Sequence, residues 1–394
     1  MSSLSKLPKN PQDWTRMAQQ HSVVDSSIHD LADLNSGSQV ETKQFLLLRA
    51  VWKGRRALEF KNDCEDHEWI SRDVLKKATS YLATLKSWTR YIESFGPSNK
   101  KISEGTFAMV QYYQRLSIQP RQKPSDEEID LSSPKVAFSP RVTRSQAARR
   151  YQGSTSRPET PSRPPKEDMS IDEHFGNLDL DSDTSSLNSD PLSSLSYHSP
   201  LSGEVGKQYQ SIEDEQIVNT ALILFLNALT LHCDYAQGAW TLYRKPFVVK
   251  TSATKVYEAR VDGLLRVKDR TCAIVEVKPF IRYGSEKTLD KIRMQETAQM
   301  AAWIAQDPPV LKKPNTMFRR LLVSQDHGEV YLIIANFDYQ YVEYICALGT
   351  GSKGKGSTHS FLEMREYGPF EVKSPEQMEQ LGIILLGASI QGGL

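Results

Sequence analysis

Apolar positions recur with two different periods along the chain. Near the N-terminus, SRDVLKKATSYLATLKSWTRYIESFGP places Leu75, Ala78, Leu82, Leu85 and Ile92 near a 3.6-residue period, which predicts a helix with one apolar stripe. Ser71 is positioned to cap it, and Gly96-Pro97 to stop it. Residues 45–52 and 106–116 predict further helices, so 1–117 reads as an N-terminal helical region. From about residue 209 the pattern changes. SIEDEQIVNTALILFLNALTLH aligns Ile217, Ala221, Leu224, Ala228 and Leu231, with Ser211 and Asp214 spaced like a capping box. Strand-like runs follow at 240–250, 257–267 and 272–277, with KDRT (268–271) as the turn between the last two. A long helix is predicted over 286–305. A strand pair is predicted at 319–325 and 329–337 around the turn DHG, then a strand over 342–348 and a helix over 375–386. That order predicts an α/β (α+β) fold over 209–394, a mixed central sheet flanked by helices.

Between these regions, residues 118–208 are rich in Ser, Pro, Arg and Asp and poor in aromatics. Such a segment cannot bury enough apolar surface to offset its chain entropy, so it is predicted as a disordered linker. It is basic first, VTRSQAARRYQGSTSRP, and then acidic, DEHFGNLDLDSDTSSLNSD. Over the whole chain of 394 residues, hydrophobic residues are 39% and charged residues 25%, which fits a chain that is only partly folded. The net charge of +1 gives no overall signal for a polyanion, so any basic patch is local. Cys64, Cys233, Cys272 and Cys346 form no CxxC pair, which argues against thiolate zinc and a disulfide framework and fits a reducing compartment. MSSLSKLPKNPQDW lacks the apolar centre of a signal peptide, and 221–231 is too short to span a bilayer. The expectation is an intracellular protein, nuclear or cytoplasmic, with no membrane partner.

The chemistry concentrates in AIVEVKPF, residues 273–280. Glu276 and Lys278 are two apart in a strand-like run, so their side chains share a face. A central strand does not hold charges without partners. A turn at KDRT would set Asp262 nearly opposite Val277, beside both. Asp262 and Glu276 then offer oxygen ligands to a hard cation, Mg²⁺ or Mn²⁺. Lys278 would position or activate a water, or stabilise charge developing on a phosphoryl group. The plainer alternative is an exposed sheet face with a surface ion pair, worth little.

An Asp, a spacer and Glu-x-Lys on a hairpin resemble the PD-(D/E)XK nuclease superfamily, here Asp262…Glu276-Val277-Lys278, and most closely the nuclease-like domains found in fungal proteins. The likeness covers about residues 209–345. It implies a restriction-endonuclease-like core and metal-dependent hydrolysis of phosphodiester bonds. By its pattern, Glu215 on the preceding helix and Gln295 on the following one (QETAQMAAWIA) join Asp262, Glu276 and Lys278 as catalytic residues, with Asp262 and Glu276 holding the metal. Gln299 shares a helix face with Gln295, while Glu296 points about 100° away and is left out. Val261 stands where the family often has proline. The implied partner is nucleic acid, DNA before RNA, with a homodimer where both strands are cut. Arg282, Lys287 and Lys291 are candidates to touch phosphates. The alternative is a catalytically inactive nuclease-like fold serving as a nucleic-acid-binding or protein-assembly module, and the N-terminal region is a candidate for binding a protein partner. GTGSKGKGS (349–357) lacks the P-loop pattern, so no nucleotide site is expected there.

Overall fold

The computed structural model describes residues 5–31, 34–95, 102, 104–119, 215–251, 254–310, 316–348 and 359–394. Helices α1 (Pro11–Gln20) and α2 (Thr42–Leu47) lead into strand β1 (Ala50–Arg55), followed by helices α3 (Glu59–Asp66), α4 (Arg72–Thr84), α5 (Lys86–Glu93) and α6 (Ala108–Leu116). After the linker region come α7 (Glu215–Thr230), β2 (Ala239–Thr241), β3 (Pro246–Thr251), β4 (Thr254–Arg260), β5 (Gly263–Val267) and β6 (Arg270–Lys278). Helix α8 (Glu286–Gln306), the hairpin β7 (Phe318–Asp326) and β8 (Glu329–Phe337), α9 (Tyr339–Ile345), β9 (Leu362–Glu371) and α10 (Pro375–Gln391) complete the chain.

Seven strands form one mixed sheet in the order β1-β9-β8-β7-β6-β5-β2, and β3 pairs with β4 in a separate hairpin. The pairs β1/β9 and β6/β7 are parallel, and the other neighbours are antiparallel. Each face of the sheet buries its own core. Ala273, Val275 and Val277 of β6 pack with α3 to α7 and α10, while Ile274 packs with α1, α2, α8, α9 and the β3/β4 hairpin. The result is a sheet between two helical layers. The two-residue period of β6 therefore puts Glu276 and Lys278 on the Ile274 side, beneath α8.

The first 117 residues are not a helical module standing apart from the rest. The described residues on either side of the linker region belong to one compact unit, and β1 extends the sheet along β9. Trp52 Nε1 donates to Thr297 Oγ1 at 2.9 Å, Tyr341 Oη donates to Leu48 O at 2.9 Å, and Gln391 Nε2 donates to Trp69 O at 2.7 Å. Gly382 of α10 lets Trp88 approach so closely that a Cβ there would lie 2.4 Å from the indole. The run FLLLRAVW, expected as one helix over 45–52, instead ends its helix at Leu47, passes through Arg49 at φ 49° and continues as β1. Apolar on both sides of Arg49, the run has no period to separate helix from buried strand.

Other expectations need similar correction. The helix starting after Ser71 is capped as expected, Ser71 Oγ accepting from Val74 N, but it breaks at Leu85 so that α5 can bury Trp88 and Tyr91. The run at 342–348 belongs to α9 and the turn after it rather than to a strand, because Asp338 caps that helix by accepting from Tyr341 N at 2.8 Å. Runs 240–250 and 257–267 each divide between the main sheet and the β3/β4 hairpin. Strand β9 had only a short signal, since Glu366 breaks the alternation begun by Leu362 and Met364, and Gly368-Pro369 follows. The linker from residue 120 on, Gly96-Pro97, the Ser211/Asp214 capping box and the 349–357 loop lie outside the described residues. Among the described residues, no helix is long and apolar enough to cross a membrane.

Candidate active site

Strand β6 carries the site at its C-terminal end. Glu276 and Lys278 are both buried, and Lys278 Nζ donates to Glu276 Oε1 at 2.6 Å. Helix α8 crosses above them. Its residues one turn apart, Gln295 and Gln299, both aim at Glu276: Gln295 Nε2 donates to Oε1 and Gln299 Nε2 to Oε2, each at 2.5 Å. Gln299 also donates to Arg260 O at 2.7 Å, tying the end of β4 to the site.

Asp262 sits in the junction between β4 and β5. The hairpin turns on Lys268-Asp269 alone rather than on KDRT, so Val267 pairs with Arg270, two residues from the expected register; a bulge at Leu265/Arg266 recovers one of them, and Gly263 pairs with Val275. Asp262 N donates to Val275 O at 2.9 Å, and Val277 N donates to Asp262 Oδ2 at 3.2 Å. The carboxylate is thus fastened to β6 between Glu276 and Lys278, as the sequence required, although through a different register. Asn219 of α7 donates to Asp262 O at 3.3 Å. Glu215 opens α7 at the rim of the cluster, partly exposed.

Arg244, from the irregular segment between β2 and β3, joins the two outer acids. Its Nη2 lies 2.6 Å from Asp262 Oδ1 and 3.8 Å from Glu215 Oε1, and its Nε donates to Asp262 Oδ1 at 3.2 Å. Sequence reasoning missed Arg244 and Asn219. No spacing ties either to the hairpin, and only the approach of α7 and of the 242–245 segment brings them in.

The electrostatics follow from burial. Removal from water pushes the Glu276 carboxyl well above its usual range, with the Lys278 ammonium opposing this. For Lys278, burial favours the neutral amine, but Glu276, Glu215 and Asp262 outweigh it and raise its pKa. Lys278 is therefore an ammonium at neutral pH, suited to stabilising negative charge rather than to taking a proton. Arg244 is likewise held charged, Asp262 and Glu215 outweighing its partial burial.

Arg282 does not lie on a phosphate-binding surface. It is completely buried, donating to Asp326 Oδ2 at 2.5 Å, Glu366 Oε2 at 2.7 Å, and Glu296 Oε1 and Ser324 Oγ at 2.8 Å. These partners come from β7, β9 and α8, too far along the chain for local pattern to reveal. Glu296 does point away from Gln295 as helical geometry requires, and it serves this second cluster. Lys287 is exposed and Lys291 half-buried at the start of α8. Among the described residues there is no group of three or more His, Cys, Asp or Glu side chains that could hold a metal ion. Two buried amide oxygens beside the site, Asn219 Oδ1 and Gln299 Oε1, have no hydrogen-bond donor.

No family model matches the chain, and neither a curated protein nor a solved structure does.

Proposed function

We propose that this chain is a metal-dependent phosphodiesterase of the PD-(D/E)XK nuclease type, with a restriction-endonuclease-like core, acting on nucleic acid and most simply on DNA. The observation that carries this reading is the meeting of Glu215, Asp262, Glu276, Lys278 and Gln295, from two helices and a hairpin, at one end of β6. A structural ion pair needs neither the second carboxylate nor two glutamines trained on the first.

The donor set suits a hard divalent cation held by two carboxylates and completed by water. The undonated amide oxygens of Asn219 and Gln299 are acceptors that such waters could serve. Asp262 Oδ1 and Glu276 would hold Mg²⁺ or Mn²⁺, which when bound polarises a phosphoryl oxygen and acidifies a water. The chain's own residues do the rest. Val277 N–H fixes Asp262, Gln295 and Gln299 orient Glu276, and Lys278 places its charge where the phosphorane develops its own. Lys287 and Lys291 extend the contact to neighbouring phosphates.

A second reading, a binding module without turnover, is favoured by one observation. Every carboxylate oxygen of Asp262 and Glu276 already accepts a hydrogen bond from the protein. The test is cleavage of supercoiled plasmid and single-stranded DNA by the full chain in Mg²⁺ or Mn²⁺, beside Lys278→Ala. The full chain is required because β1 and the N-terminal aromatics are part of the fold. Metal-dependent cleavage lost in the variant supports the enzyme. DNA binding without cleavage in either protein supports the module.

A further inference from the structure

We propose that Arg244 is a built-in counter-ion that occupies the cation position on Asp262 and hands it over when a polyanion binds, an inference that rests on the nuclease reading above. Asp262 has two oxygens with different fates. Oδ2 is fixed inward by Val277 N–H, and Oδ1 is capped by the Arg244 guanidinium at 2.6 Å. The same guanidinium reaches Glu215. It lies on the oxygen that a divalent cation on Asp262 would use, and its positive charge repels a second cation there, so metal and guanidinium compete.

The two partners differ in freedom. The Asp262 side chain is only 6% exposed and is tied to β6, whereas that of Arg244 is 52% exposed. Arg244 also lies outside regular structure, between Tyr243, itself exposed, and Lys245. It can therefore turn outward without disturbing the core. A guanidinium pairs with phosphate as well as with carboxylate, in the same forked geometry. A nucleic-acid backbone arriving at the rim would draw Arg244 off Asp262, open the oxygen to the metal and gain a contact. Metal and polyanion should then bind cooperatively, each strengthening the other by the same factor.

The test is Mn²⁺ binding, read by electron paramagnetic resonance, to the full chain and to Arg244→Ala, Arg244→Gln and Asp262→Asn, with and without a phosphorothioate DNA duplex. Without DNA, both Arg244 variants should bind Mn²⁺ about tenfold more tightly than wild type, the scale of one charge-assisted hydrogen bond. DNA should tighten binding in wild type and leave the Arg244 variants nearly unchanged. Asp262→Asn should abolish binding. Equal Mn²⁺ affinity in wild type and both Arg244 variants, with loss in Asp262→Asn, overturns the role of Arg244 and leaves the metal site standing. No Mn²⁺ binding by any of the proteins overturns both.

Discussion

Two buried charge clusters lie side by side on one face of the sheet, and only one of them carries an exposed cation. Parallel pairing of β6 and β7 sets Glu276 beside Ser324 and Lys278 beside Asp326. On the β6 side, the cluster runs out through Asp262 to the exposed Arg244 and the partly exposed Glu215. On the β7 side, Arg282 binds Asp326, Glu296, Glu366 and Ser324 with no exposure, and its guanidinium lies 3.9 Å from the Tyr331 ring centre. Arg293 and Tyr283 close the remaining oxygen of Glu366 at 2.8 and 2.5 Å. Both clusters contain acids and bases in a low-dielectric interior. What separates them is cation exposure: a cluster built around the buried Arg282 can hold the fold, and one with the exposed Arg244 at its rim can also exchange a ligand.

The sharpest way to break this comparison is to remove the central cation of each cluster. Arg282→Ala strands Asp326, Glu296 and Glu366 in the core and should lower stability by roughly 3–5 kcal/mol, read as a shift in the urea midpoint at constant m-value. Lys278→Ala should retain the fold more fully, because Glu276 keeps the amide donors of Gln295 and Gln299 on its two oxygens. Its loss should appear instead in DNA cleavage, by about 10²–10³-fold, the scale for removing a preorganised charge stabiliser. If Lys278→Ala unfolds the protein as readily as Arg282→Ala does, the two clusters are equally structural and the distinction fails.

The Arg282 cluster should also register pH. Burial raises Glu296 from its ordinary 4.5 to about 7, with Arg282 opposing and Asp326 and Glu366 adding to the rise. A carboxyl raised in the folded state stabilises the fold fully below pH 4.5 and loses that contribution as pH climbs through 7. Wild type should therefore lose roughly 3 kcal/mol relative to Glu296→Gln between those limits. Glu366 moves the other way, held down to about 2 because Arg293 and Arg282 outweigh its burial, so its contribution is lost only in acid. It is common to both proteins and drops out of the difference. Parallel stability–pH curves for wild type and Glu296→Gln would sink this account.

The smallest expected effect lies far from both clusters. Ser71→Ala removes the acceptor for Val74 N at the start of α4 and should cost about 1 kcal/mol with no change in cleavage or Mn²⁺ binding. A change in Mn²⁺ affinity there would mean that the N-terminal layer is coupled to the site.

What the sequence determined by itself is local. Glu276 and Lys278 share a face because a strand alternates, and Gln295 and Gln299 share one because a helix turns every 3.6 residues. The hairpin then brought Asp262 to them, with the register off by one because the turn closes on two residues rather than four and a bulge, which leaves no mark in an alternating pattern, recovers only one of the two. Tertiary structure decided the rest. It placed Arg244 on Asp262, withdrew Arg282 into the core to meet acids from β7 and β9, and made the N-terminal region part of the same sheet. Periodicity reports which side of an element is apolar. Which distant charge satisfies a buried one depends on how strands order across the sheet, and that order is fixed only when both cores close.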